Sequence, residues 1–459
     1  MALFALSPLD GRYADAAGPL REFLSEFAYL KTRLKIEVAY LAALGKMGIA
    51  PLLSPSQEVF LAAFSEADGM HLKELEQFTR HDVKALEYFI RDRIKASPNS
   101  DLQEVLPFLH FGLTSEDVNN LAQSLALRDS RDHILLPALD LLLTSLRDFA
   151  HYHRSTPMLA RTHGQPAVPT TMGKEFALFF ARFLECRKEI ASHRFKGKLT
   201  GAVGNFNALQ AAIPEVNWMD FSRDFVESMG LTATLFTTQI MPADNWIRFF
   251  HCIQLLNSIM IDFTRDVWNY LSEGYLKLEI VDKEIGSSTM PQKVNPIDFE
   301  NAEGNAGVAN ALLAHYVQKL PVSRLQRDLS DSTVRRTFGT ALGHTLLALQ
   351  TAAKGMERIM ADEERLQSDL NSHWETITEG AQTILRHSGN PDAYESLLAL
   401  SHGRSMEQSD YRRWAVSLDI DEKTRSRLLA LSPETYLGLA IKITDRILLE
   451  TSDTQTELS

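Results

Sequence analysis

The chain has 459 residues, 45% of them hydrophobic and 23% charged. This length exceeds what one compact hydrophobic core normally serves, and the mix is that of a folded globular protein, which excludes a disulfide miniprotein, a collagen-like repeat and a disordered chain. Lys and Arg number 47 against 59 Asp and Glu, a net charge of -12, so nonspecific binding to nucleic acid or to an anionic membrane is disfavoured. Any anionic ligand must then find a local basic cluster. Cys186 and Cys252 are too few and too far apart for a disulfide framework or a thiolate metal site, and they read as buried thiols in a reducing compartment. The apolar run Met1 to Leu6 lacks a basic flank and is cut by Ser7-Pro8-Leu9-Asp10, and nowhere do about eighteen apolar residues run together. A soluble, cytoplasmic protein that engages neither membrane nor nucleic acid is expected.

Apolar residues at three- and four-residue steps from Leu20 to Leu41 predict one helix face, stopped by Gly45 and Gly48. Ser54-Pro55 predicts a second helix start, and Thr79 with Asp82 a third, as a capping box. From Leu102 the periodic segments lengthen: Ser115 to Phe149, Thr170 to His193, Asn245 to Leu271, Ile297 to Leu320 and Val334 to Met360. Several are at least twice the mean globular helix of about eleven residues. Long helices of this kind pack as a bundle, which neighbouring subunits can complete. After Ala361 short helices return, broken at Ser-Gly-Asn, His-Gly-Arg and Leu-Ser-Pro. The expectation is an all-α protein of three domains: a helical domain at 1–103, a long-helix bundle at 104–358 and a small helical domain at 359–459. Tyr275 to Val281 is the best strand candidate, and the Met and aromatic stripe from Trp246 to Trp268 reads as bundle core.

Three connecting segments carry unusual chemistry: Ala160 to Thr171, Lys198 to Asn207 and Asp282 to Pro296. The last reads Gly286-Ser287-Ser288-Thr289-Met290-Pro291-Gln292-Lys293-Val294-Asn295-Pro296. Small residues and prolines leave backbone amides free, and Ser287, Lys293 and Asn295 add a hydroxyl, a cation and an amide, so the segment can wrap a carboxylate. In Arg161-Thr162-His163-Gly164-Gln165-Pro166 an imidazole, with ordinary pKa near 6.5, can hand on a proton at neutral pH. Thr114 and Asp117 form a capping box at a helix start, which is also a ready anion site. His151-Tyr152-His153 lacks carboxylate or thiolate partners at ligand spacing and reads as a helix-surface pair, so neither metal nor redox cofactor is implied.

The segment from Gly286 to Pro296 resembles the GSSxMPxKxNP signature of the fumarase/aspartase superfamily of homotetrameric, all-helical lyases. Leu113 to Asn120 and Thr162 to Pro166 resemble two further regions of that superfamily. The resemblance implies a fumarase/aspartase-like fold with a central bundle completed in a homotetramer, each site drawing on three subunits. It implies Ser287 as general base, His163 as general acid, and Thr114, Ser115, Ser288, Lys293 and Asn295 as substrate ligands. Ser7 to Tyr13 and Thr79 to Tyr88 look like a branch of the superfamily that splits a succinylated purine nucleotide, an anionic small molecule, to release fumarate. In that branch the matching Arg12, Tyr13, His81, Asp82, Gln239, Asn301, Arg327, Ser332, Arg335 and Arg336 contact substrate. Arg80 departs from the small polar residue expected before the His-Asp pair. An argininosuccinate- or fumarase-type lyase is the second reading, and a noncatalytic helical scaffold the reading from another class; retention of Ser287, His163, Lys293 and Asn295 together argues against the scaffold.

Overall fold

The computed structural model describes residues 4–98, 100–280, 289–401 and 406–449. It divides into two compact units, one made of 1–138, 186–258 and 305–347, the other of 139–185, 259–304 and 348–459. Among the described residues, no helix is long and apolar enough to cross a membrane.

In the first unit, the helix expected from Leu20 is two. Arg21–Leu24 ends at Ser25, whose extended backbone (ψ 160°) and hydroxyl start a new helix, Glu26–Lys46, by accepting from the Ala28 N–H at 3.1 Å. Gly45 does not stop that helix; it lies inside it, where an added Cβ would sit 3.0 Å from the Pro51 carbonyl oxygen, and Gly48 (φ 72°) makes the turn. Ser54 caps Pro55–Ala62 with Gln57 returning to its N–H at 2.8 Å, as the sequence predicts. Thr79 does not begin a helix. It ends Glu66–Thr79, Arg80 takes the left-handed conformation (φ 53°), and His81 caps Asp82–Ala96. The run from Ser115 to Phe149 is realised as Ser115–Ser130, a π-helical turn Arg131–Leu135 and Leu136–Tyr152. Val334 to Met360 is interrupted: Ser330–Arg335 is a short helix and Phe338–Met356 a long one.

The stripe beginning at Trp246 is core, as expected. In the first unit Phe250 packs against Tyr316 and Phe338; in the second Phe263 is surrounded by Phe176, Phe179, Phe183 and Phe299. Trp268, at the end of the stripe, is 45% exposed. The helices Met172–Ser192, Asp244–Ser272 and Ile297–Lys319 match their predicted extents to within two residues.

Among the described residues, strands are few and short. The segment Ala160 to Thr171, read above as a connector, lies largely in an antiparallel hairpin of β1 (Pro157–Thr162) and β2 (Gln165–Thr171). β3 (Lys196–Gly197) pairs with β4 (Thr232–Ala233), and β5 (Leu276–Leu278), within the predicted strand, pairs with β6 (Ile359–Ala361). His153 is not a surface residue: it is buried at the end of its helix with Nδ1 3.1 Å from the Thr156 hydroxyl, and burial lowers its pKa. Cys186 is buried and Cys252 half-buried.

Candidate active site

Two helix starts of the first unit, at His81 and at Thr114, lead into one cavity. At the first, the His81 Nδ1 accepts from the Lys84 N–H at 3.2 Å, which leaves Nε2–H as the donor of the neutral ring. Asp82 accepts from Arg33 at 2.8 Å and from the Val83 N–H at 2.9 Å; burial pushes its carboxyl up, and the Arg33 guanidinium together with the Val83 N–H bond outweighs this and holds it below the usual range.

At the second start, Asp117 is a hub. One of its oxygens accepts from the Thr114 N–H at 2.9 Å, and the other accepts from the Thr200 and Gly201 N–H groups and from the Lys198 ammonium at 3.0 Å. Both members of the Asp117–Lys198 pair have side chains 0% exposed, so the carboxylate is compensated by one cation and three backbone amides. Asn120 adds bonds to both the N–H and the carbonyl of Lys198. These bonds join the Thr114 helix start to the segment Lys198 to Asn207 and fix the next two residues, Ser115 and Glu116.

Ser115 and Glu116 face a cavity of about 300 Å³, which brings together seven of the residues singled out from sequence: His81, Asp82, Ser115, Arg327, Ser332, Arg335 and Arg336. It is also lined by residues that sequence reasoning missed, among them Tyr29, Arg33, Glu76, Glu116, Asn119 and Gln123, and by Arg80. Five guanidiniums thus meet three carboxylates on one wall system, a local cationic excess inside a net-acidic chain. The arginines are not equivalent. Arg335 is buried and held by Glu116 at 3.0 Å, by Gln123 at 2.9 Å and by Asp331. Arg327 pairs with Glu116 at 3.2 Å. Burial pushes the Glu116 carboxyl up, but Arg335 and Arg327 prevail and lower its pKa. Arg80 and Arg336 are exposed and carry no ion pair among the described residues. They are the cations free to meet an incoming anion.

Arg12, Tyr13, Thr114 and Gln239 belong to the same unit but do not line this cavity. Arg12 is exposed, Tyr13 packs against the cluster of Leu9, Ala17 and Leu347, and Gln239 is half-buried in a bend. His163, Lys293, Asn295 and Asn301 belong to the second unit. His163 and Gly164, with φ 54° and 74°, form the two-residue tip between β1 and β2, where Thr162 pairs with Gln165. A non-glycine residue in that conformation at an exposed tip is the kind of local strain that functional sites retain. Lys293 is exposed, while Asn295 and Asn301 are half-buried, the latter on Ile297–Lys319. Ser287 and Ser288 lie outside the described residues.

A lyase family model matches residues 11–310. Two solved structures share the fold: a fumarate lyase from Mesorhizobium sp. BNC1 (TM-score 0.75, 18% identity, 94% of this chain and 97% of that one) and the 3-carboxy-cis,cis-muconate lactonizing enzyme of Pseudomonas putida (TM-score 0.76, 21% identity, 95% and 97%). The fold class is therefore the all-helical one of the fumarase/aspartase lyases. The adenylosuccinate lyase C-terminal family matches residues 323–437. Adenylosuccinate lyases of Vibrio cholerae serotype O1 and Escherichia coli K12 are each 42% identical, over 454 and 453 residues, covering 97% of this chain and 99% of theirs. The chain belongs to the adenylosuccinate lyase family.

Proposed function

We propose that the chain is a carbon–nitrogen lyase that splits adenylosuccinate into AMP and fumarate by β-elimination, and acts likewise on the succinyl-aminoimidazole-carboxamide ribotide of purine biosynthesis. The observation that carries the reading is the arginine-rich cavity, at which Arg80 and Arg336 stand free for an anion while His81, Ser115 and Ser332 offer neutral hydrogen bonds. A substrate with a phosphate and two carboxylates is matched by such a wall inside an otherwise acidic protein.

In this scheme Ser287 removes a proton from the succinyl carbon next to a carboxylate. The electron pair moves into that carboxylate, giving an aci-carboxylate that Lys293, Asn295 and backbone amides stabilise more than they stabilise bound substrate. The pair then returns to form the double bond of fumarate as the carbon–nitrogen bond breaks, and His163 delivers a proton to the departing nitrogen. Serine needs a lowered pKa for its part, which a cationic, amide-rich, water-excluding surround provides. Arg12, Tyr13, Thr114, Ser288, Gln239, Asn301, Arg327 and Arg335 complete the proposed substrate shell, some of them by fixing the residues that touch it. We take the enzyme to be a cytoplasmic homotetramer whose sites draw on several subunits, with the chain divided near 103 and 358.

The test is turnover by the purified protein offered adenylosuccinate, argininosuccinate and malate in turn, followed by ultraviolet absorbance. Loss of adenylosuccinate with matching release of fumarate is expected. Turnover of argininosuccinate or malate in its place, or of none of the three, would refute the reading. Ser287→Ala and His163→Ala should each lower kcat by about a hundredfold or more, with native mass unchanged.

A further inference from the structure

The hairpin that carries His163 is sparsely paired at its tip. Its register runs evenly from Pro157↔Thr171 to Leu159↔Pro169 and resumes at Arg161↔Pro166, so Ala167 and Val168 stand opposite Ala160 alone, as a bulge. Beyond the bulge only two residue pairs remain, Arg161↔Pro166 and Thr162↔Gln165, and proline has no N–H to give to a ladder. Thr162, His163, Gly164 and Gln165 are all exposed, whereas Met158 and Leu159 bury the other end. A two-stranded ribbon with so few pairs is marginal unless something else anchors it.

The anchor is a side-chain node two residues before His163. Arg161 donates from one Nη to the Tyr275 hydroxyl and to Asp369, both at 3.1 Å, with Glu273 3.8 Å away. Tyr275, fully buried, also donates its hydroxyl to Asp369, which is itself buried on the helix Glu363–Asn371. Asp369 therefore accepts from two directions and ties the strand end to a helix far along the chain. We propose that Arg161, locked by Asp369 and Tyr275, is a positioning residue for the reaction: it sets the direction of the His163 tip so that the imidazole meets the leaving nitrogen. Arg161 touches no reacting atom in this role. The inference rests on His163 being the acid.

The role predicts a particular kinetic pattern. Misplacing an acid–base group by about an ångström costs up to about a hundredfold in rate. Substrate contacts made by the cavity of the first unit, which Arg161 does not line, should be spared. Arg161→Met and Asp369→Asn should each lower kcat by roughly ten- to a hundredfold with KM changed less than about threefold. The double variant should be no slower than the worse single one, since both cut the same bond. Arg161→Lys, which keeps a cation but not the planar, fixed direction of the guanidinium donors, should recover part of the rate, and it also serves if Asp369→Asn fails to fold. Thermal denaturation and native mass are measured on every variant, and His163→Ala is run beside them. Wild-type kcat in Arg161→Met, multiplicative losses in the double variant, or a rise in KM that accounts for the whole effect would each overturn the positioning role. If His163→Ala itself turned over normally, the acid assignment would fall and the inference with it; an inactive His163→Ala beside a fully active Arg161→Met would sink the inference alone.

Discussion

Glu116 offers the most quantitative handle on the cavity. It is 1% exposed and is the sole carboxylate within ion-pair reach of Arg327 among the described residues, while Arg335 shares it with Asp331. Glu116→Gln keeps the shape and the bond from Asn119 (2.9 Å) but leaves Arg327 without a counter-charge. Removing one partner of a buried pair costs about 3–5 kcal/mol. At about 2–4 °C per kcal/mol for a cooperative unit of 150–250 residues, that is a fall in Tm of roughly 6–20 °C. The penalty should depend on pH with a defined sign. Glu116 has a folded pKa below its ordinary 4.5, so its contribution is complete above the ordinary glutamate range and is lost as pH falls through the lower, folded value. The gap in Tm between wild type and Glu116→Gln should therefore be widest near neutral pH and narrow below about pH 4. Anions should behave oppositely. The Glu116 carboxylate lines the cavity and opposes any anion seated there, so inorganic phosphate should bind the variant more tightly than it binds the wild type. Differential scanning fluorimetry from pH 3 to 8, with and without phosphate, reads both effects. An unchanged Tm at pH 7, or a gap that stays constant on acidification, would refute the electrostatic account of this wall.

Neighbouring arginines should separate cleanly. Arg336→Ala removes a free cation and should raise KM for the nucleotide by about tenfold or more at nearly constant Tm, because a charge-assisted bond contributes about 1.5–3 kcal/mol. Arg335→Ala strands Glu116 and Asp331 and should instead lower Tm, a contrast that steady-state kinetics and calorimetry on the two variants will check. Gly173→Ala would place a methyl group 2.4 Å from the Ala150 carbonyl oxygen and 2.5 Å from the Arg154 Cα, where only backbone could give way. A loss of at least about 2–3 kcal/mol in urea unfolding is expected. Lys198→Met leaves Asp117 its three amide donors, so it should destabilise less than Asp117→Ala, which abandons both the ammonium and the amides.

Much of the fold was legible because long helices repeat a simple signal. The apolar steps from Trp246 to Val267 place Phe249, Phe250, Phe263 and their neighbours in the core, and no local chemistry competes with that period. Ser25 escaped notice because its cap sits inside an uninterrupted apolar rhythm; only its extended backbone shows the break. The hairpin of β1 and β2 escaped for the opposite reason. Three prolines, a bulge and a His-Gly tip replace the alternation and the Asn-Gly turn by which such ribbons are recognised. At the site, His81, Asp82, Ser115, Arg327 and Ser332 could be picked out by motif, and the cavity gathers them. Glu116 and Arg33 could not, since a charged residue on a helix reads as solvated until tertiary contacts bury it with a partner. Arg335 and Arg336 are adjacent in sequence and opposite in fate for the same reason.

A crystal structure of the assembled protein with AMP and fumarate bound would test the central claim most directly. The account predicts the phosphate within hydrogen-bonding distance of the cationic wall of Arg80, Arg327 and Arg336, and the His163 imidazole within about 3 Å of the purine amino nitrogen. A nucleotide seated elsewhere, with that wall empty and His163 turned away from the amino group, would contradict it.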